Sequence, residues 1–275
     1  MGTSLPETSV SIAASMNNQN TLAVSNVVGS NIFNLMVVLG ICAVISKLQV
    51  SRDVLKRDYP FSVLCAILLL VCGCIGMELG RIDGIVFLVI FVGFIVVLIK
   101  SAMDARKRGE ISEKEREMNE EMSEMKEQPV WKSIIYIVGG AIAIKYGGDW
   151  VVDSASTIAT SFGISATLVG LTICSVGTSL PELVTSIVAA RKNELDMAVG
   201  NVVGSNVFNI LMVLGVAATI SPITFLMENV IDIIVLLVFS LITWVFCITK
   251  KEIGKKEGII MLVLYAIYLV YICLR

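Results

Sequence analysis

Two glutamates stand where a membrane chain would hold an ion. Glu7 and Glu182 each follow a proline, inside the hexapeptide Gly-Thr-Ser-Leu-Pro-Glu at 2–7 and again at 177–182. Proline lacks a backbone donor and opens a helix upstream of itself. At 181 this is expected to free carbonyls at about 175–177 for a cation, beside the hydroxyls of Thr178 and Ser179. An ionised carboxylate in hydrocarbon is costly, so Glu182 should face the bundle interior and hold a cation or a proton. Glu7 is its symmetry mate. A second block, Asn-Val-Val-Gly-Ser-Asn, occurs at 26–31 and 201–206. It brings Ser30 and Asn34, four apart on one helical face, and their repeats Ser205 and Asn209. Carboxylate, hydroxyl, amide and carbonyl oxygens together make a hard site, suited to Ca2+ or Na+ and poorly to soft metals.

The two blocks belong to one duplication. Residues 2–46 reappear at 177–221 without a gap, at an offset of 175, with 26 of 45 positions identical. The plainer account of the second block is close helix packing, and for Gly29 and Gly204 that account is preferred. For Ser and Asn in register with a glutamate-bearing helix in both halves, the ion site is preferred. Asn31 and Asn206 point about a quarter-turn from Ser30 and Ser205 and rank below them. An intramembrane hydrolase is remote, because Thr3, Ser4, Thr178 and Ser179 have no His or nearby Lys to serve as base. Histidine is absent altogether.

These residues need a membrane scaffold to position them. The chain of 275 residues is 56% hydrophobic and 16% charged, with mean hydropathy +0.86. Apolar runs at 61–77, 82–99, 230–249 and 258–274 approach the roughly 17–25 residues that span a bilayer as a helix. The pattern predicts a half-span at 4–16 and full spans at 22–45, 59–77, 82–99, 131–152, 164–190, 197–220, 228–249 and 258–274. The cysteines lie mostly inside these runs and read as packing residues, and Cys72-Gly-Cys74 lacks metal spacing. Among the other acids, Glu78, Asp83, Asp149 and Glu228 are expected at span ends, Asp153 is a candidate for an outer vestibule, and Asp232 is ambiguous.

Threading these spans places four basic connections, at 47–57, 100–132, 191–192 and 250–256, on one side. They hold 18 of the 21 Lys and Arg, so that side is expected to be cytoplasmic. Five crossings separate the two hexapeptides. An odd number reverses direction, so the copies are inverted, a plan used by transporters with broken helices near the midplane.

At these motifs the chain resembles the calcium/cation antiporter superfamily, most closely its bacterial sodium/calcium exchanger branch. The signature there is Gly-Thr-Ser-x-Pro-Glu followed by Gly-Asn-x-x-Gly-Ser-x-x-x-Asn/Asp. This chain has GTSLPE then SNVVGSNIFN, and GTSLPE then GNVVGSNVFN. The resemblance implies an all-α integral membrane protein with the inverted-repeat antiporter fold, five plus five helices in the family and here about eight full spans plus a half-helix. It implies Ca2+ exchanged for Na+ by alternating access, with no enzyme activity and no cofactor. The implied ion ligands are Thr3, Ser4, Glu7, Ser30 and Asn34, and Ser175 (through its carbonyl), Thr178, Ser179, Glu182, Ser205 and Asn209. Asn209 stands where some relatives have Asp, which weakens the case for K+ co-transport. The expected partners are membrane lipid and inorganic cations, with no nucleic acid, in a bacterial-type inner membrane; the sequence sets no oligomeric state. The alternatives are an H+-coupled divalent-cation exchanger and a non-transporting truncated fragment or subunit.

Three regions follow: a first repeat at 1–99, a cytoplasmic polar linker at 100–130 and a second repeat at 131–275. Symmetry with the second repeat places about 45 further residues, one helix and a half, ahead of Met1. The expectation is a shortened reading frame or a clipped chain.

Overall fold

The computed structural model describes residues 2–107, 161–192, 195–250 and 252–275, with scattered positions between 131 and 158. The span expected at 131–152 lies largely outside the described residues, as do Asp149 and most of the linker. Helix α1 is Leu5–Met16, α2 is Asn20–Ile45, α3 is Val54–Cys74 and α4 is Arg81–Lys107. A broken pair follows, α5 at Ala166–Thr178 and α6 at Leu180–Arg191, bent by 43°. Then come α7 at Met197–Ile220, α8 at Met227–Lys250 and α9 at Lys255–Leu274. Among the described residues, six helices and the bent pair are long and apolar enough to cross a membrane. The break at Ser179 falls just ahead of Pro181, in the first turn of α6, and Pro6 has the same place in α1. Proline is tolerated at that position because the N–H it lacks would have no helical partner.

Helices α2 and α7 form the centre. About three-quarters of each apolar stretch is buried, 78% and 72%, against 11% for α4, which lies at the perimeter. Each central helix carries a π turn at the same repeat position, Asn34–Val38 and Asn209–Val213. There the N–H of Leu39 donates to Asn34 and that of Leu214 to Asn209, five residues back rather than four. Such turns are frequent at functional sites.

The repeats are joined crosswise. Strand β1, Leu48–Gln49, pairs with β4, Glu252–Ile253; β2, Glu78–Leu79, pairs with β3, Ile223–Thr224. Both two-residue ribbons are antiparallel and take one strand from each repeat. The first lies among basic residues, with Lys47 3.4 Å from Glu252. At the other end Asn20, opening α2, donates to the Ser221 hydroxyl at 3.0 Å and the Pro222 carbonyl at 2.7 Å. The start of α7 packs instead against β1. The repeat helices α2 and α7 therefore run in opposite directions, as the inverted threading requires.

Glycine pairs fasten the same crossing. A Cβ on Gly84 of α4 would lie 2.7 Å from the Gly215 carbonyl of α7 and 2.9 Å from the Thr219 nitrogen. A Cβ on Gly258 of α9 would lie 2.7 Å from the Gly40 carbonyl of α2. The last helix of each repeat is thus seated on the central helix of the other. Because backbone atoms cannot yield, Gly84→Ala should destabilise by about 1–3 kcal/mol through overpacking. Thermal unfolding in detergent would register it. Gly93→Ala on the same helix, where a Cβ meets nothing within 4 Å, should leave the midpoint unchanged or slightly raised.

The remaining acids sort by contact. Asp83 accepts the Gly80 N–H at 2.9 Å and closes the start of α4. Glu78, Asp153 and Glu228 are exposed. Asp232 is 1% exposed and accepts both guanidinium nitrogens of Arg275, at 2.9 and 2.7 Å, and the Tyr268 hydroxyl at 3.1 Å. It is a structural ion pair between α8 and the end of α9.

Candidate ion-binding site

The two hexapeptides meet in the middle of the bundle. Ser4 donates to Glu182 Oε1 at 2.7 Å, and Ser179 donates to Glu7 Oε1 at 3.0 Å. Each serine therefore serves the glutamate of the opposite repeat. Ser205 adds a donor to Glu182 Oε1 at 3.4 Å and lies 3.2 Å from the Ser4 hydroxyl. Both glutamates are fully buried, and so are Ser4, Ser179, Asn34 and Asn209. No Lys or Arg contacts either carboxylate among the described ion pairs.

The other half of each carboxylate is left open. Glu7 Oε2, Glu182 Oε2, Asn34 Oδ1, Asn209 Oδ1 and Thr3 Oγ1 are buried oxygens with no hydrogen-bond partner among the described residues. A buried unsatisfied polar atom costs about 1–3 kcal/mol, more when charged. All five belong to residues expected as ligands from the motifs. On the flank, Ser30 Oγ lies 3.3 Å from Thr178 Oγ1 and 3.4 Å from the Ser175 carbonyl.

Ser175 departs from expectation. Its carbonyl is not stripped by the proline: it accepts the Ser179 N–H at 3.1 Å, besides the hydroxyls of Ser30 and Thr178. The reason is the helical spacing of four. Pro181 removes the donor opposite Gly177, not the one opposite Ser175. The glycines also divide. Gly29 permits close approach, since a Cβ there would lie 2.8 Å from Ser175 Cβ and 2.9 Å from Leu171 Cα. Gly204 has nothing within 4 Å among the described residues. The helix seated on Gly29 is α5, which precedes the hexapeptide of the second repeat.

Two contributors, Ser11 and Ser186, lie outside the two motif blocks. Ser11 and Ser186 each accept from an asparagine fifteen residues on, Asn26 at 3.2 Å and Asn201 at 3.3 Å, tying α1 to α2 and α6 to α7. Asn31 and Asn206 clasp the two central helices. The signal was present, since all six residues are duplicated at the constant offset.

Comparison with known proteins decides the affiliation. The sodium/calcium exchanger protein family matches residues 1–100 and 132–274. The chain belongs to this family. The exchanger is 37% identical to the inner membrane protein YrbG of Escherichia coli over 251 residues, which cover 89% of this chain and 75% of the relative. It is 30% identical to the sodium/calcium exchanger MaX1 of Methanosarcina acetivorans, covering 98% and 85% of the two chains. Among solved structures, the sodium-calcium exchanger NCX_Mj soaked with 100 mM Na+ and 10 mM Sr2+ matches with a TM-score of 0.70 at 31% identity, over 98% of this exchanger and 82% of that chain. These matches make the exchanger an all-α, multi-pass membrane protein of a transporter family.

Proposed function

We propose that the exchanger moves Ca2+ against Na+ by alternating access, with the two ions taking the same buried oxygens in turn. One observation carries this reading. Among the described residues, partnerless oxygens stand on Glu7, Glu182, Thr3, Asn34 and Asn209 of the duplicated motifs, and the serines of the two hexapeptides are cross-bonded between repeats. Glu7 and Glu182 supply two negative charges, enough to balance one Ca2+ or two Na+. Ca2+ takes about six to eight oxygens; Thr3, Asn34, Asn209 and the hydroxyls of Ser4, Thr178, Ser179, Ser30 and Ser205 provide the neutral ones, with the Ser175 carbonyl once the Ser30 and Thr178 hydroxyls turn from it to the ion. The amide at Asn209 adds no third charge, which speaks against K+ as a further passenger. No covalent step and no resident cofactor are called for. The basic connections face the cytoplasm of an inner membrane, so inward Na+ drives Ca2+ out.

Competition for one set of oxygens has a direct consequence. In proteoliposomes loaded with Na+ and with pH clamped, Ca2+ uptake should follow the Na+ gradient, and external Na+ should inhibit it competitively. Uptake that follows an imposed pH gradient in the absence of Na+ would instead establish H+ coupling.

A further inference from the structure

Two asparagines lie just outside the ion site, one in each repeat. Asn31 donates through Nδ2 to the Asn206 carbonyl at 3.3 Å, and Asn206 donates through Nδ2 to the Asn31 carbonyl at 3.3 Å. This reciprocal pair joins α2 to α7 and uses the amide nitrogens only. The amide oxygens remain for other work. Asn31 Oδ1 accepts from Asn209 Nδ2 at 3.1 Å. The symmetric bond, from Asn34 Nδ2 to Asn206 Oδ1, is not made, and both of those atoms are buried without a partner among the described residues. All four asparagines are at most 2% exposed.

A buried asparagine presents either its oxygen or its NH2 group to a neighbour. A cation accepts only the oxygen. An amide can therefore ligate a cation in a dry site only if its NH2 is held elsewhere. Asn31 does this for Asn209: with Nδ2 engaged, Asn209 Oδ1 is the atom left over, and it is partnerless. We infer that Asn31 and Asn206 are positioning residues that turn the oxygens of Asn209 and Asn34 toward the transported cation, each acting on the ligand of the opposite repeat. On the first-repeat side, Asn206 Oδ1 receives Asn34 Nδ2 when Asn34 Oδ1 takes the ion. This explains how an amide can stand at position 209. A carboxylate there, with oxygen on both branches, would need no such acceptor.

The inference rests on the ion-site reading above, and its test separates the two. The half-saturating Ca2+ concentration for Na+-driven uptake is measured for the unaltered exchanger, Asn209→Leu, Asn31→Leu, Asn209→Asp and the double variant that combines Asn31→Leu with Asn209→Asp. Loss of an outer-shell partner typically costs about 10–100-fold in metal affinity, and Asn31→Leu should raise the half-saturating concentration by that factor. The double variant should return to within about threefold of Asn209→Asp alone, because the coupling between Asn31 and residue 209 is then removed. If Asn31→Leu is impaired and adding Asn209→Asp gives no rescue, Asn31 merely clasps the helices and the proposal is overturned. It is also overturned if Asn209→Leu loses affinity while Asn31→Leu does not. An Asn209→Leu variant with unchanged Ca2+ dependence overturns the ion-site reading itself. Should Asn31→Leu fail to fold, Asn31→Ser, too short to reach Asn209, carries the same expectations.

Discussion

An exchanger carrying Glu182→Gln should lose Na+-driven Ca2+ uptake by at least about 100-fold, while keeping its fold. Glutamine preserves the shape of the side chain and an oxygen that can still accept from Ser4, which lies 2.7 Å from Glu182 Oε1. What disappears is one of the two charges facing a divalent ion. Stripping one partner from a buried charge pair costs about 3–5 kcal/mol, and each 1.4 kcal/mol is tenfold, so the loss exceeds two orders of magnitude. Glu7→Gln should behave alike, since the cross-bonded geometry gives the two carboxylates equivalent places. Radioactive Ca2+ flux into Na+-loaded proteoliposomes measures both, with monodisperse elution in detergent as the folding control. Near-normal flux in either variant would remove that glutamate from the site.

The largest effect on stability is expected far from the ion. Arg275→Met should destabilise the exchanger by about 3–5 kcal/mol, the range found when one member of a buried ion pair is removed. Asp232 is only 1% exposed and would keep only the Tyr268 hydroxyl as a partner. The double variant that adds Asp232→Asn to Arg275→Met should recover much of the loss, because an uncharged amide needs no counter-charge. Unfolding in detergent distinguishes the cases. Equal midpoints for Arg275→Met and the unaltered chain would mean that water already screens the carboxylate.

The parts of this protein written in local chemistry could be read from its residues. Proline beside glutamate, the duplicated Ser and Asn four residues apart, and the long apolar runs each carry their meaning within a few positions. The break at Ser179 and the inverted repeats followed from them. What escaped depends on a partner helix. Asn31 ranked low because its angle was judged on its own helix, whereas its role comes from Asn206 and Asn209 across the two-fold. Asp232 was ambiguous until Arg275, 43 residues away, supplied its partner. The π turns at Asn34 and Asn209 have no propensity signal, and the two-residue ribbons are too short for any pattern. Ser175 shows a different shortfall: the expected range of freed carbonyls, 175–177, includes Gly177, opposite the donor that Pro181 lacks, but its Ser175 end keeps the Ser179 N–H.

The crosswise ribbons also set a timetable for synthesis. Leu48 waits for Ile253, and Gly40 for Gly258, so the first repeat cannot finish packing until almost the whole chain has left the ribosome. At about 5–20 residues per second, roughly 200 intervening residues take about 10–40 seconds. Until the second hexapeptide follows at 177–182, Glu7 stands in the bilayer without Ser179 and Ser30 without Thr178. A nascent exchanger is therefore most open to proteases and misassembly in the middle of its own production, and its last helix is the one that closes the molecule.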